Sequence, residues 1–255
     1  MTKQFQCDQL EVNIYPNRKD MGQAAGQAFL KALRNRLKYQ DQVRLIFAAA
    51  PSQAEFLQYL RQDRLIDWRR VIAFHMDEYL GLPQDSDASF GHFLDVSLFN
   101  HLPFGQVHYI DPTHSDPNQE AYYYTQLLKE EPIDLVAMGI GENGHIAFND
   151  PPVADFEDPH WVKIVELDEI CRQQQVNDGA FPTFASVPTQ AITLTVPALV
   201  SAKEIICVVP GLTKQQAVQR TLEGPIHTAC PASILRKHEA AKLFLDQESA
   251  ALLKN

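Results

Sequence analysis

Short β-branched and apolar runs recur along the chain, separated by longer amphipathic stretches. The candidate strands are Leu10–Tyr15, Val43–Ala48, Val71–His75, Val107–Ile110, Ile133–Met138, Val162–Val165, Ala191–Val196, Glu204–Val209 and Ala241–Leu245. Helical patterns lie between many of them, at Asp20–Tyr39, Gln53–Asp63, Ser89–Asn100, Gln119–Glu130, Lys214–Glu223 and Pro231–Lys237. Strand alternating with helix implies right-handed crossovers and a mostly parallel sheet covered on both faces. The spacing therefore predicts an α/β fold of Rossmann-like type, with an open, mostly parallel sheet and helices on both faces. No repeat, low-complexity tract or linker divides the 255 residues, so residues 1–255 read as one domain.

The least regular stretch runs from Pro151 to Pro188 and carries five prolines with Asp155, Glu157 and Asp158. Proline blocks helix continuation, so this region reads as loops around at most one strand. Loops that follow parallel strands are where such folds place ligands.

Charge narrows the partners. With 22 Lys+Arg against 32 Asp+Glu, the net charge of -10 excludes a nucleic-acid backbone as the main partner, because phosphate neutralisation needs clustered basic residues. No apolar run approaches the roughly 20 residues a membrane span requires, so no membrane association is expected. Residues 1–16 lack the apolar stretch of a secretory signal. Cys7, Cys171, Cys207 and Cys230 are widely spaced, which suits neither a zinc site nor a disulfide framework and points to the cytoplasm. All four read as structural.

Two strand ends carry chemistry. After the apolar run IDLVAM comes GIGENG, a letter-for-letter G-x-G-x-x-G containing Gly139, Gly141 and Gly144. A dinucleotide site is disfavoured, since Pro151 and Pro152 break the following segment and no acidic ribose partner sits about 20 residues on. The glycines still permit close backbone approach to a ligand, and His145 and Asp150 follow at once. The second cluster is VIAFHMDEYLGLP, a strand running into His75, Asp77 and Glu78. Period-two alternation would place His75 and Asp77 on one face.

The strings MDEYLGLP and GIGENGHIAFNDP together resemble the glucosamine-6-phosphate deaminase/isomerase family, which is related to the 6-phosphogluconolactonases. Family members carry M-D-E-Y-V-G-L-P and G-x-G-x-D-G-H-I-A-F-N-E-P. The likeness continues through AITLTVPALVSAKEIICVVPGLTKQQAVQRTLEG and SILRKHEAAKLFLDQES, in the same order and over most of the chain.

The resemblance implies a sugar-phosphate isomerase/deaminase fold and conversion of glucosamine 6-phosphate and water to fructose 6-phosphate and ammonia. It implies no metal and no organic cofactor. Asp77 corresponds to the base that moves a proton between carbons 2 and 1, and His145 to the ring-opening histidine. The family's ring-opening aspartate corresponds to Asn143, which can position an imidazole but cannot accept a proton. Its glutamate corresponds to Asp150, shorter in reach by about 1.5 Å.

The phosphate end departs further. The family's T-G-G-T-P is AAPSQ here, with Ala50 for a glycine, Pro51 without an N–H, and Ser52 expected to cap the next helix. Lys214 matches the family's phosphate lysine. Arg172 is the available counterpart of a family arginine that binds phosphate, and Gly141 completes the expected substrate contacts. The basic effector segment of allosteric members reads VADFEDPHWVK here and retains only Lys163. Activation by N-acetylglucosamine 6-phosphate is therefore not expected; a concentration-dependent shift in half-saturation would defeat this. Family members range from monomers to hexamers, so a homo-oligomer is open. So are two alternatives to the deaminase reading: a related phosphosugar isomerase or 6-phosphogluconolactonase, and a catalytically weak sugar-phosphate-binding protein.

Overall fold

The computed structural model describes residues 2–83 and 86–254. In chain order its elements are β1 (Lys3–Cys7), β2 (Leu10–Tyr15), α1 (Arg18–Leu37), β3 (Val43–Phe47), α2 (Ala54–Leu60), β4 (Val71–His75), β5 (Asp77–Tyr79), α3 (Phe90–Ser97) and β6 (Gln106–His108). There follow α4 (Pro117–Lys129), β7 (Leu135–Met138), β8 (Val162–Glu166), α5 (Glu169–Asn177), β9 (Gln190–Leu194), α6 (Val196–Val200), β10 (Glu204–Val209), α7 (Gln215–Glu223) and β11 (Ala241–Asp246). Eight strands form one sheet in the order β1-β2-β11-β10-β7-β3-β4-β6. The β1–β2 pair is antiparallel, and the remaining pairs are parallel.

A parallel sheet covered on both faces needs strands that are apolar on both faces. In β10, Ile205, Cys207 and Val209 enter one core while Ile206 and Val208 enter the other. β7 alternates the same way, with Val136 and Met138 opposite Leu135 and Ala137. Phe29 of α1, Phe56 of α2 and Leu94 of α3 close one side; Tyr124 of α4, Leu199 of α6 and Val218 of α7 close the other. The architecture is the α/β type that the alternation of strand and helix predicts.

Several local expectations are corrected. Between Pro151 and Pro188 the chain forms the helix α5 as well as the strand β8. The prolines flank a Pro-free interval from Pro159 to Pro182, and Asp168 caps the helix by accepting from Ile170 N at 2.6 Å. Proline excludes helix at its own position and not across a whole region. The strand expected over Ala191–Val196 stops at Leu194, because the Thr195 side chain caps α6. Pro231–Lys237 winds as 3-10 turns, its Ala232 amide drawn to Gly144 O at 2.9 Å.

The correction that matters most for the site lies at Met76. β4 ends at His75 and, after a bend at Met76, β5 begins at Asp77 within a second, antiparallel sheet ordered β5-β9-β8. The chain changes sheets at Met76, so period-two alternation does not relate His75 to Asp77.

Candidate active site

The carboxyl ends of β3, β4, β7 and β10 converge on a cleft of about 280 Å³. Ala50, Pro51 and Ser52 follow β3, Asp77 follows β4, Gly139 to Gly141 and His145 follow β7, and Lys214 follows β10; all line the cleft. This is the edge at which open parallel sheets bind ligands. Of the residues expected from sequence, Ala50, Ser52, Asp77, Gly141, His145 and Lys214 share this wall, with Asn143 and Asp150 packed behind His145.

The D-E pair divides its labour. Glu78 is 1% exposed and accepts from Ser89 Oγ at 2.9 Å, Gly91 N at 2.9 Å and Phe90 N at 3.1 Å, so its carboxylate ties down the start of α3. Asp77 lines the cleft, and no protein hydrogen bond reaches its carboxylate among the described residues. Burial, with the Glu78 charge second, pushes the Asp77 carboxyl well above its ordinary range. A buried, raised-pKa carboxylate facing a cleft is equipped as a general base. His75 plays no part in the cleft wall: its Nε2 accepts from Ile110 N at 2.8 Å, and burial lowers its pKa to about 3.

The imidazole of His145 is backed by a carboxylate. Its Nδ1 lies 2.8 Å from Asp150 Oδ1, off the line of a straight hydrogen bond. The same Oδ1 accepts from Asn143 Nδ2 at 2.7 Å, and Asn143 Oδ1 accepts from His145 N at 2.9 Å. Asn143 thus holds both partners in place, and Asp150 reaches the ring although it lacks a methylene relative to glutamate. Burial opposes charge on Asp150, but the nearby His145 and the hydrogen bond from Asn143 outweigh it and keep the carboxyl below its ordinary range. A carboxylate behind Nδ1 favours the tautomer with a free Nε2. Because Nδ1 is buried, the Nε2 edge is the part of the ring that meets the cleft.

The anion end is sparse. Ser52 does not cap a helix: it lies in a 3-10 turn spanning Pro51–Gln53, and its Oγ accepts from Gln53 Nε2 at 3.2 Å. α2 starts two residues later with no side-chain cap. The Ser52 hydroxyl proton remains available to a ligand. Lys214 is 8% exposed, and burial lowers its pKa against the opposing charges of Asp178 and Glu142. Arg172 is not brought to the cleft. Its Nη2 donates to Phe184 O and Val187 O at 3.0 and 2.9 Å, and its guanidinium stacks on Phe184. Lys163 is likewise committed, donating to Val153 O at 2.6 Å and Asp158 Oδ2 at 2.8 Å.

The Pro151–Pro188 stretch, expected as ligand-flanking loops, does supply a wall, through residues the sequence did not single out. Gln174, Gln175 and Asp178, on and after α5, line the cleft. The signal that would have found them is the Asp168 cap at the head of a Pro-free interval.

Sheet and site together define a class: an open α/β protein presenting an acid-backed imidazole and an unpartnered carboxylate in one cleft at its carboxyl edge. Residues 16–244 match the family described as glucosamine-6-phosphate isomerases/6-phosphogluconolactonase, and the chain belongs to that family. It is 36% identical over 226 residues to proteins named glucosamine-6-phosphate deaminase from Bacillus thuringiensis (strain Al Hakam) and Bacillus anthracis (strain A0248), covering 89% of this chain and 84% of each relative. A solved structure described as a monomeric glucosamine-6-phosphate deaminase superposes with a TM-score of 0.87 at 27% identity, over 95% of this chain and 99% of that one. The 6-phosphogluconolactonase of Thermotoga maritima superposes with a TM-score of 0.76 at 18% identity, over 93% and 99% of the two chains, and shares the fold.

Proposed function

We propose that this chain is a glucosamine-6-phosphate deaminase, converting glucosamine 6-phosphate and water to fructose 6-phosphate and ammonia. One observation carries the reading: a single cleft holds both the Asp150-backed His145 and the unpartnered Asp77. The reaction needs these two functions. His145 moves a proton between the ring oxygen and the anomeric hydroxyl to open the sugar. Asp77 then takes the proton from carbon 2 and returns it at carbon 1 through an enolamine, and hydrolysis of the resulting imine releases ammonia. Lys214 and the Ser52 hydroxyl take the phosphate, with Lys214 as a point cation. Four unpaired cysteines, and the absence from the described residues of any helix long and apolar enough to cross a membrane, support a cytoplasmic setting.

The weak-binder alternative rested on Asn143 and Pro51. Asp150 within 2.8 Å of Nδ1 supports an active site despite Asn143.

The test follows ammonia and ketose phosphate from glucosamine 6-phosphate and from its galacto epimer, beside hydrolysis of 6-phosphogluconolactone. Ammonia release that falls by roughly 10²–10⁴-fold in Asp77→Asn is expected for loss of a general base. Lactone hydrolysis without ammonia release, or full activity in Asp77→Asn, would sink the reading.

A further inference from the structure

Behind the cleft, three side chains of different chemistry meet. A ring nitrogen of His145, an Asp150 carboxylate oxygen and Cys171 Sγ all lie within 4.8 Å of one another, and Nδ1 is the nitrogen 2.8 Å from Asp150 Oδ1. The three residues are 8%, 1% and 0% exposed. Two polar atoms at this point, His145 Nδ1 and Asp150 Oδ2, are buried without a hydrogen-bond partner. Buried polar atoms are normally paired, so the unpartnered Asp150 Oδ2, beside an Nδ1 that meets Asp150 Oδ1 only off the hydrogen-bond line, marks a place where a ligand would be held. Imidazole nitrogen, carboxylate oxygen and thiolate sulfur are the donors zinc takes, whereas magnesium and calcium prefer oxygen alone. The sequence hides this site, because positions 145, 150 and 171 match no metal-ligand spacing and meet only when α5 packs against the loop after β7.

We propose that His145 Nδ1, Asp150 and Cys171 form a binding site for a thiophilic divalent cation, Zn²⁺ being the best match, and that an ion bound there switches His145 off. The entry route is the cleft, whose wall His145 forms. On binding, Cys171 loses its thiol proton to solvent and becomes a thiolate ligand. Asp150 coordinates as a carboxylate, and the neutral imidazole coordinates through Nδ1 while its single proton sits on Nε2. One proton is released per ion, and a water completes four-coordination. The tautomer is the reverse of the one Asp150 favours without metal. With Nε2 protonated and Nδ1 occupied, the ring presents no base to the cleft. The binding half of the proposal stands apart from the deaminase reading, and the inhibition half rests on it.

The test uses the reduced, metal-stripped full chain titrated with Co²⁺ and then Zn²⁺. One equivalent of Co²⁺ should bind with a thiolate-to-cobalt charge-transfer band in the near ultraviolet, and Zn²⁺ should displace it. Cys171→Ser should weaken Zn²⁺ binding by more than about 100-fold, the upper end of what losing a mere supporting group costs, while Cys7→Ser should bind as the parent does. Should Cys171→Ser fail to fold, mass spectrometry of the parent supplies the same answer: Zn²⁺ should protect Cys171 from alkylation in mild denaturant. Absence of stoichiometric binding, a cobalt spectrum without the thiolate band, undiminished affinity in folded Cys171→Ser, or no protection of Cys171 each overturns the site. Zn²⁺ bound at one equivalent with ammonia release unaffected overturns the inhibition. A metal-free parent that releases no ammonia, yet gives the cobalt band, refutes the deaminase reading and leaves the metal site standing.

Discussion

Gly141 lies so close beneath the imidazole of His145 that a Cβ built on it would meet Cε1 and Nε2 at 2.2 Å. The glycine is required by the space the ring occupies, and it is the ring's cleft-facing edge that presses on it. Gly141 also donates its N–H to His145 O at 2.9 Å, closing the loop that carries the histidine. A residue expected to let a ligand approach closely therefore does so for the His145 imidazole.

Gly141→Ala should push the imidazole off its position against Asp150. Displacement of a reacting group by about 1 Å costs on the order of 100-fold in rate, whereas one added methyl in a packed site costs about 1–3 kcal/mol of stability. The expected result is a folded protein with kcat down by about that factor, checked by steady-state kinetics beside a thermal melt.

Asp77 and Glu78 should separate cleanly on mutation. Glu78→Gln removes charge-assisted bonds to Ser89 and the first amides of α3, and should lower stability by about 1–3 kcal/mol. Asp77→Asn should lower turnover by roughly 10²–10⁴-fold and raise Tm at neutral pH. The sign follows from linkage: the folded-state pKa of Asp77 is raised, so between the ordinary value of 3.8 and that raised value the folded state binds more protons than the unfolded one. Stability contributed at Asp77 is thus lost as pH rises through that window. The Tm gap between Asp77→Asn and the parent should widen with pH over the same range, and kcat/KM of the parent should fall as Asp77 protonates on acidification.

Asn143→Asp, which restores the family residue, should harm this protein. The Asn143 amide donates to Asp150 Oδ1 at 2.7 Å, and two carboxylates at that distance cannot both stay ionised. One would take up a proton, weakening the acid behind His145. A roughly tenfold loss of kcat is expected, on the scale of losing a supporting hydrogen bond at a site. Thermal melts across pH should show the variant losing stability relative to the parent as pH rises. A gain in activity would instead identify Asn143 as a defect that Asp150 does not repair.

Lys214 is the lysine or arginine that lines the cleft among the described residues, since Arg172 is held by Phe184 and Val187. Lys214→Ala should raise KM for glucosamine 6-phosphate by at least about tenfold with a smaller effect on kcat, the pattern of lost ground-state binding. Added salt should weaken substrate binding in the parent and much less in the variant. A KM that does not move would place the phosphate elsewhere.

The parts of the fold legible in the sequence are those governed by short-range periodicity. β7 throughout and β10 from Ile205 onward are apolar because both faces of a central parallel strand are covered, and a run such as IICVV permits little else. α5 was hidden because prolines at both ends masked a Pro-free middle. The turn at Pro51–Gln53 was misread because a serine before a helical pattern looks like a cap, while the chain spends Ser52 on a 3-10 turn first.

At the site, residue identity marked two strand-end clusters, His75, Asp77 and Glu78 in one and His145 and Asp150 in the other, and the family resemblance assigned acid–base roles to Asp77, His145 and Asp150. Which of Asp77 and Glu78 faces the cleft was decided by the change of sheet at Met76, a long-range event that period-two alternation cannot register. The partner of His145 and the fate of Arg172 were also tertiary outcomes, each turning on which groups lie within about 3 Å once loops pack. So was the arrival of Cys171 beside Asp150. Sequence determined the sheet, its carboxyl edge and the residue types delivered there, because backbone periodicity is local. Tertiary structure decided the pairings, because hydrogen bonds and charge coupling depend on distances that only the packed chain defines.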